Sequence, residues 1–354
     1  MTQRLIGKHF WQDRRVFISG ATGFKGSWLA LALKLMGAKV TGIGLPPETN
    51  GIFENINLDR MVNIQFVDIR DYSHLAGSLA DCNPQVIFHL AAQPLVSVGF
   101  EDPRGTIETN ILGTTHLLEA ALNLKELECI VNITTDKVYR NQEKVGGYVE
   151  NDLLGGRDPY SASKACADIV ASSYYDSFFK ALGIGVSNVR AGNVLGGGDV
   201  CQDRLVPDYF RAINTKTELK VRFPEAVRPW QHVLDPLAGY ICLAERMSME
   251  PDQFSSAWNF GPERVSFVTV EELLSLLSCL VDCPPKILLE PREMKETELL
   301  FLSSEKAKKS LGWCPKIDLQ SCLEMINEIE SAKVKVNDLS YLYKHQISSY
   351  FNLH

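Results

Sequence analysis

The sequence predicts an α/β protein built on a doubly wound parallel sheet, with a smaller, discontinuous region folded over the carboxyl ends of the strands. Two observations lead there. Short apolar runs rich in β-branched residues alternate with longer amphipathic stretches as far as residue 190, and a glycine turn, Gly20-Ala21-Thr22-Gly23-Phe24-Lys25-Gly26, joins the first run to the first such stretch. Beyond Arg190 the alternation gives way to glycine- and proline-rich segments, the composition of loops.

Residues 15–19 read as the first strand because Val16, Phe17 and Ile18 form a short apolar run that stops at the glycine turn. Residues 27–36 have the spacing of an amphipathic helix and 39–43 form the second strand, which completes one βαβ unit. Further strands are expected at 64–67, 86–90, 129–133 and 185–189, with helices near 73–80, 102–124 and 159–182 between them. A helix over roughly 234–247 and a strand at 257–259 return to the sheet. Residues 1–190 plus about 231–262 therefore form a Rossmann-like domain, and about 191–230 plus 263–354 form the second domain.

Composition narrows the function. With 354 residues, 45% hydrophobic and 22% charged, the chain can bury a large core and has no signature of disorder. A net charge of −7 disfavours nucleic acid or an anionic membrane as the main partner, so an anionic ligand must be met by a local cluster of cations. Nine cysteines, with no Cys-x-x-Cys pair, read as reduced thiols in a cytoplasm rather than as metal ligands or disulfides. No apolar run reaches the roughly 18 residues of a membrane span, and the first residues do not read as an export signal.

Glycines at 20, 23 and 26 permit positive φ, close approach to a pyrophosphate and tight helix packing, with a helix N-terminus facing the negative charge. The expected acidic residue at the end of the second strand is missing from Thr41-Gly42-Ile43-Gly44-Leu45, so this segment does not choose NAD over NADP. Leu90-Ala91-Ala92-Gln93 closes the fourth strand with small residues that suit either a passing cofactor or plain packing. Asp68-Ile69 is either an adenine contact or a surface turn, and Asn110 either a cofactor contact or a hydrogen bond within its own helix. Tyr160 and Lys164 stand four apart on a helix, which places the ammonium near the phenol, where it would lower the phenol pKa from about 10. With Thr134-Thr135-Asp136-Lys137 at a strand end, this is the equipment for taking a proton from a sugar hydroxyl.

Gly20 to Gly26, Leu90 to Gln93, Thr134 to Lys137 and Tyr160 to Lys164, taken in order, resemble the extended short-chain dehydrogenase/reductase family, home of nucleotide-sugar epimerases and dehydratases. Longer blocks at 22–29, 135–137, 190–199 and 228–233 resemble its 4,6-dehydratase branch that acts on CDP-glucose. The resemblance implies NAD as cofactor and a triad of Thr135, Tyr160 and Lys164, with Tyr160 as base at the C4 hydroxyl, Thr135 steering that hydroxyl and Lys164 holding the ribose. It further implies Asp136 as the acid for the departing C6 hydroxyl and Lys137 where related enzymes carry a glutamate base; both can serve one site only if the strand has ended before them. Arg190 and Asn193 precede a glycine loop suited to close ligand approach, and Arg228 and Arg204 are candidates for the nucleotide diphosphate, each arginine being equally compatible with a solvated surface group. His232 beside Trp230 reads as structural. Ala21 departs from the histidine common in the branch, and Arg140 from its glutamate. Relatives pair through helices equivalent to 102–124 and 159–182, so a homodimer is expected, with no metal. The alternatives are an epimerase or reductase of the same family, or a silent nucleotide-sugar-binding protein.

Overall fold

A computed structural model describes residues 8–144, 146–290, 300–333, 336 and 338–353. Seven strands, β1 (Arg15–Ser19), β2 (Lys39–Gly44), β3 (Asn63–Phe66), β4 (Val86–His89), β5 (Cys129–Ile133), β6 (Gly185–Ala191) and β7 (Ala257–Phe260), form one sheet in the order β7-β6-β5-β4-β1-β2-β3. Every pairing in it is parallel. The order reverses between β1 and β4, which opens a crevice at the carboxyl ends of those two strands.

Side-chain alternation along the strands builds a core on each face. Val16, Ile18, Val86, Phe88, Cys129, Val131 and Val189 pack under α1 (Phe24–Leu35) and, further along the chain, α5 (Leu234–Met249). Phe17, Ile87, Ile130 and Val186 face the opposite way, under α2 (Tyr72–Cys82), α3 (Gly113–Ala121) and α4 (Pro159–Tyr174). A third apolar cluster, with Tyr209, Phe210, Val221, Trp230, Leu273 and Leu323, lies over the crevice.

Three expectations about elements change. The helix expected over 102–124 divides into Pro103–Ile107, a π-helical turn Glu108–Leu112 and α3, because the buried Asn110 inserts polar bonds to neighbouring segments. The helix expected over 159–182 likewise ends at Tyr174, followed by a π turn and a short 3₁₀ turn. Glu305–Leu311 and Ser340–Phe351, expected with the smaller domain, contribute Ala307, Leu311, Leu342, Tyr343 and Ile347 to the core beneath α1 and α5. Residues 291–299 of that expected domain lie outside the described residues.

Candidate active site

The glycine turn is packed backbone against backbone. Gly20 adopts φ +77°, and a Cβ there would lie 2.6 Å from Ala91 N; a Cβ on Gly26 would lie 2.0 Å from Gly20 O. Gly23 caps α1 without a side-chain hydrogen bond, so the first-turn N–H groups stay available beside Gly23, Phe24 and Lys25, all of which line the crevice. Free amides at a helix N-terminus suit the pyrophosphate of a dinucleotide. Thr22, Asp68, Ile69, Leu90, Ala91 and Ala92 line the same cleft, whose volume of about 1100 Å³ exceeds the roughly 300–1,000 Å³ of a single-ligand pocket. Asp68 is held by Arg70, which donates from Nε and Nη2 at 3.0 and 2.6 Å. The first carboxylate after β2 that lines the cleft is Glu48.

Gln93 and Asn110, expected at the cofactor, are turned to a different task. Asn110 Oδ1 accepts from Gln93 N at 2.8 Å, while Asn110 Nδ2 donates to Gln93 O at 3.1 Å and to Ser163 Oγ at 2.9 Å. Gln93 Oε1 accepts from Leu95 N at 2.5 Å, and its amide donates to Thr106 at 2.8 Å. Asn110 is therefore spent tying the end of β4 to α4, Gln93 is spent on the segment that follows it and on Thr106, and neither lines the cleft. Beside them, His89 bridges Ser19 and Thr114 at 2.6 and 2.9 Å; burial drives its pKa down to about 3, so the bridge is a neutral imidazole.

The helix bearing Tyr160 begins where its sequence dictates. Asp158 caps α4 by accepting from Ser161 N at 2.9 Å, and Pro159 fills a first-turn position that needs no N–H. Tyr160 thus projects from the first turn, with Lys164 one turn on, and both line the cleft. β5 stops at Ile133, and Asp136–Val138 form a 3₁₀ turn capped by Thr135. With the strand ended, Asp136 and Lys137 both face the cleft, as their joint use requires. Thr135 Oγ1 donates to Asp136 Oδ1 at 2.9 Å, and it lines the same cleft as the Tyr160 phenol. Gly192 admits the carboxylate: a Cβ there would stand 3.0 Å from Asp136 Oδ2.

The electrostatics differ from the expectation at one point. Lys164 Nζ donates to the carbonyl of Ile133, left over at the end of β5, at 2.8 Å, and burial lowers its pKa to about 8 against the pull of Asp168. Burial raises the Tyr160 pKa, and the leading cation that opposes the rise is Lys137, not Lys164. Lys137 itself stands 3.4 Å from Asp136, whose charge raises the lysine pKa, so the pair rests as an ion pair. Lys25, lowered to about 8 first by burial and then by Arg204, completes a group of cations with Lys137, Lys164, Arg204 and Arg228 along one cleft, the local cluster that a chain of net charge −7 requires.

Among the expected substrate contacts, Asn193, Arg204 and Arg228 line the cleft, Arg204 with Nη1 on Asp199 at 2.8 Å. Arg190 does not. Its side chain is 3% exposed, and its guanidinium is consumed by Asp168, Tyr139 and Glu150, so it is a buried anchor rather than a ligand contact. His232 is likewise buried, edge-on to Trp28, with its pKa driven down to about 3 by burial. Arg222 was missed: it lines the cleft beside the short strand Leu219–Val221, and the period-two pattern Leu219-Lys220-Val221-Arg222-Phe223 was the available signal. Among the described residues no group of three or more His, Cys, Asp or Glu side chains could hold a metal ion.

Comparison with known proteins identifies the family. The profile of the GDP-mannose 4,6 dehydratase family matches residues 17–326. The chain is 43% identical over 355 residues to the CDP-glucose 4,6-dehydratase of Salmonella typhimurium, spanning 98% of this chain and 99% of that one. It is 25% identical to the GDP-mannose 4,6-dehydratase of Vibrio cholerae over 89% of this chain and 93% of that one. Among solved structures, the UDP-glucuronic acid 4-epimerase of Bacillus cereus, in complex with UDP-glucuronic acid and NAD, superimposes with a TM-score of 0.77 at 23% identity, covering 90% of this chain and 99% of the other. At that identity the likeness establishes the fold alone.

Proposed function

The chain belongs to the GDP-mannose 4,6-dehydratase family, and from that membership we propose that it is an NAD-dependent nucleotide-sugar 4,6-dehydratase acting on CDP-glucose. One observation supports this most directly. Thr135, Asp136, Lys137, Tyr160 and Lys164 line a single cleft, so groups for oxidation at C4 and groups for water loss across C5 and C6 meet at one sugar. The full-length likeness to a CDP-glucose 4,6-dehydratase supports the choice of nucleotide.

Gly20, Thr22, Gly23, Phe24, Lys25 and Gly26 fit the pyrophosphate side of NAD, Asp68 and Ile69 its adenine end, and Tyr160 and Lys164 its nicotinamide ribose. Bound there, NAD would supply the hydride acceptor for sugar C4 and the donor for C6, and so would not be consumed. Tyr160 takes the C4 hydroxyl proton, Thr135 orients that hydroxyl, and the charge of Lys137 opposes the rise in the phenol pKa caused by burial. The C5 proton is then acidic, being α to a ketone. Passage of one proton from the Lys137 ammonium to the Asp136 carboxylate, 3.4 Å away, arms both groups together. The neutral amine removes the C5 proton, the carboxyl gives its proton to the departing C6 hydroxyl, and the ion pair is restored as water leaves; when C6 is reduced, the Lys137 ammonium returns a proton to C5. Closure of the sugar over the pair favours the uncharged form by removing solvent.

In this reading the diphosphate lies against Arg204 and Arg228, near Asn193, and residues 1–190 plus about 231–262, joined by Glu305–Leu311 and Ser340–Phe351, form the NAD-binding unit. Exposed Phe100, Ile107, Leu112, Ile169 and Phe178 support a homodimer through the helices that carry them; a monomer in light scattering at micromolar concentration counts against it. No helix of the described residues is long and apolar enough to cross a membrane, and nine free cysteines support a cytoplasmic setting. Incubation with CDP-glucose and NAD followed by mass spectrometry tests the whole reading: loss of one water is expected. An unchanged mass with a new epimer, or no conversion, refutes it.

A further inference from the structure

No step above uses the buried Arg190–Asp168 pair, yet it touches both elements that bear the reacting groups. Arg190 Nε and Nη2 donate to Asp168 at 2.8 and 2.9 Å. Its Nη1 donates to Tyr139 Oη at 2.7 Å and to Glu150 O at 2.9 Å, and its Cζ stands 4.8 Å from the Tyr139 ring centroid. Tyr139 Oη passes its own proton to Asn259 Oδ1 at 2.7 Å, and Asn259 Nδ2 donates to Tyr148 O at 2.8 Å. At the opposite end of the turn, Thr134 Oγ1 shares its proton between Val189 O at 3.1 Å and Asp168 Oδ2 at 3.4 Å. Thr134 and Tyr139 bracket Thr135, Asp136 and Lys137, while Asp168 sits on α4 one helical turn beyond Lys164. The pair therefore grips the turn at both ends and the helix between them.

Apolar side chains of similar volume often stabilise a core as well as, or better than, a buried ion pair does, so stability alone is a poor reason to keep one here. Fixed geometry is what this pair supplies. Tyr160 and Lys164 keep their mutual placement through α4 itself; the placement of Asp136 and Lys137 relative to that helix rests on side-chain bonds between the two elements, Lys164 Nζ to Ile133 O ahead of the turn among them. Resting on the dehydratase reading, we propose that Arg190 and Asp168 are positioning residues, setting the turn of Asp136 and Lys137 against the helix of Tyr160 and Lys164, and so govern the elimination half of the reaction.

Tyr139→Phe tests this mildly, since it leaves the ion pair intact and removes the grip on one end of the turn. In quenched single-turnover reactions with CDP-glucose and NAD, mass spectrometry separates the 4-keto hexose, lighter by two hydrogens, from the 4-keto-6-deoxy product, lighter by one water. The variant is expected to accumulate the 4-keto hexose, with elimination slowed on the order of tenfold to a hundredfold, the scale of a misplacement of about 1 Å. KM stays within about threefold. The double variant Asp168→Asn with Arg190→Gln, which leaves no lone buried charge, is expected to fold by circular dichroism and to show the same accumulation. Unchanged partitioning in both variants overturns the proposal, as does a parallel fall of oxidation, elimination and Tm, the pattern of a merely structural role. If wild type never loses water, the dehydratase reading falls and takes this proposal with it; if wild type dehydrates and the variants partition normally, the proposal alone falls.

Discussion

Lys25→Met is expected to make the protein more stable and a poorer binder of its anionic ligands. Burial and the neighbouring charges of Arg204, Lys164 and Lys137, offset only in part by Asp136, depress the Lys25 pKa from 10.5 to about 8. That depression is worth about 3 kcal/mol against the folded state at neutral pH, reduced to about 1–3 kcal/mol because the side chain still reaches solvent. The sign follows from proton counting. Between pH 8 and 10.5 the folded protein holds fewer protons at this site than the unfolded chain, so wild-type stability rises with pH across that window. At pH 7 the full penalty is present, and the methionine variant lacks it. Urea unfolding at pH 7 and at pH 10 measures both effects, and a gain of about 1–3 kcal/mol at pH 7 is expected to raise Tm by a few degrees. Saturating NAD narrows that gap: ligand at 100 times Kd stabilises wild type by about 2.7 kcal/mol, and a tenfold weaker variant forfeits about 1.4 of that. A variant less stable than wild type at pH 7, or one that keeps the rise above pH 8, refutes the reasoning.

Gly26→Ala places a methyl 2.0 Å from Gly20 O and 2.7 Å from Gly20 C, both backbone, so relief requires moving the turn by about 1 Å. The gain of about 1 kcal/mol that alanine usually brings to a helix is outweighed, and calorimetry is expected to show NAD affinity lowered at least about tenfold. Lys137→Met removes the proposed C5 base and the leading cation at Tyr160: C4 oxidation is expected to persist at reduced rate with its basic pKa moved upward, while C5 exchange with solvent is lost, and wild-type-like exchange counts against the assignment. Asp235, buried and accepting from Lys316 N and Tyr350 Oη at 2.8 Å each, has its pKa raised to about 6 by burial. Its folded form holds the extra proton between about pH 4 and 6, so stability falls by about 3 kcal/mol as pH rises through that window; Asp235→Asn flattens the fall in denaturant titrations, and an unchanged slope sinks the claim.

The sheet was legible because its signals are local. Val16, Phe17 and Ile18 alternate between two cores within one strand, and the glycine turn follows at once. The meeting of Thr135, Tyr160 and Lys164 on one cleft was legible for the same reason: a turn after β5 and a helix opened by Asp158-Pro159 are both written in adjacent residues. What failed depends on partners distant in the chain. Asn110 and Gln93 are 17 residues apart and satisfy each other, and Arg190 finds Asp168 across 22 residues, so no local pattern separates them from ligand-binding side chains. Lys164 shows a subtler limit. Helical spacing put it on the face of Tyr160, but the unpaired carbonyl of Ile133 decides where its flexible stem ends.

The helix Ser340–Phe351 lies on the back of α1, where the Tyr343 ring meets Trp28 at 5.1 Å, and Trp28 Nε1 in turn donates to Gly197 O at 3.2 Å. Trp28 follows the glycine turn by two residues, so this distant stretch of sequence buttresses the dinucleotide cradle from behind. Proteolytic nicking or truncation ahead of Ser340 would leave every group in the crevice covalently intact while loosening the floor on which the cofactor rests.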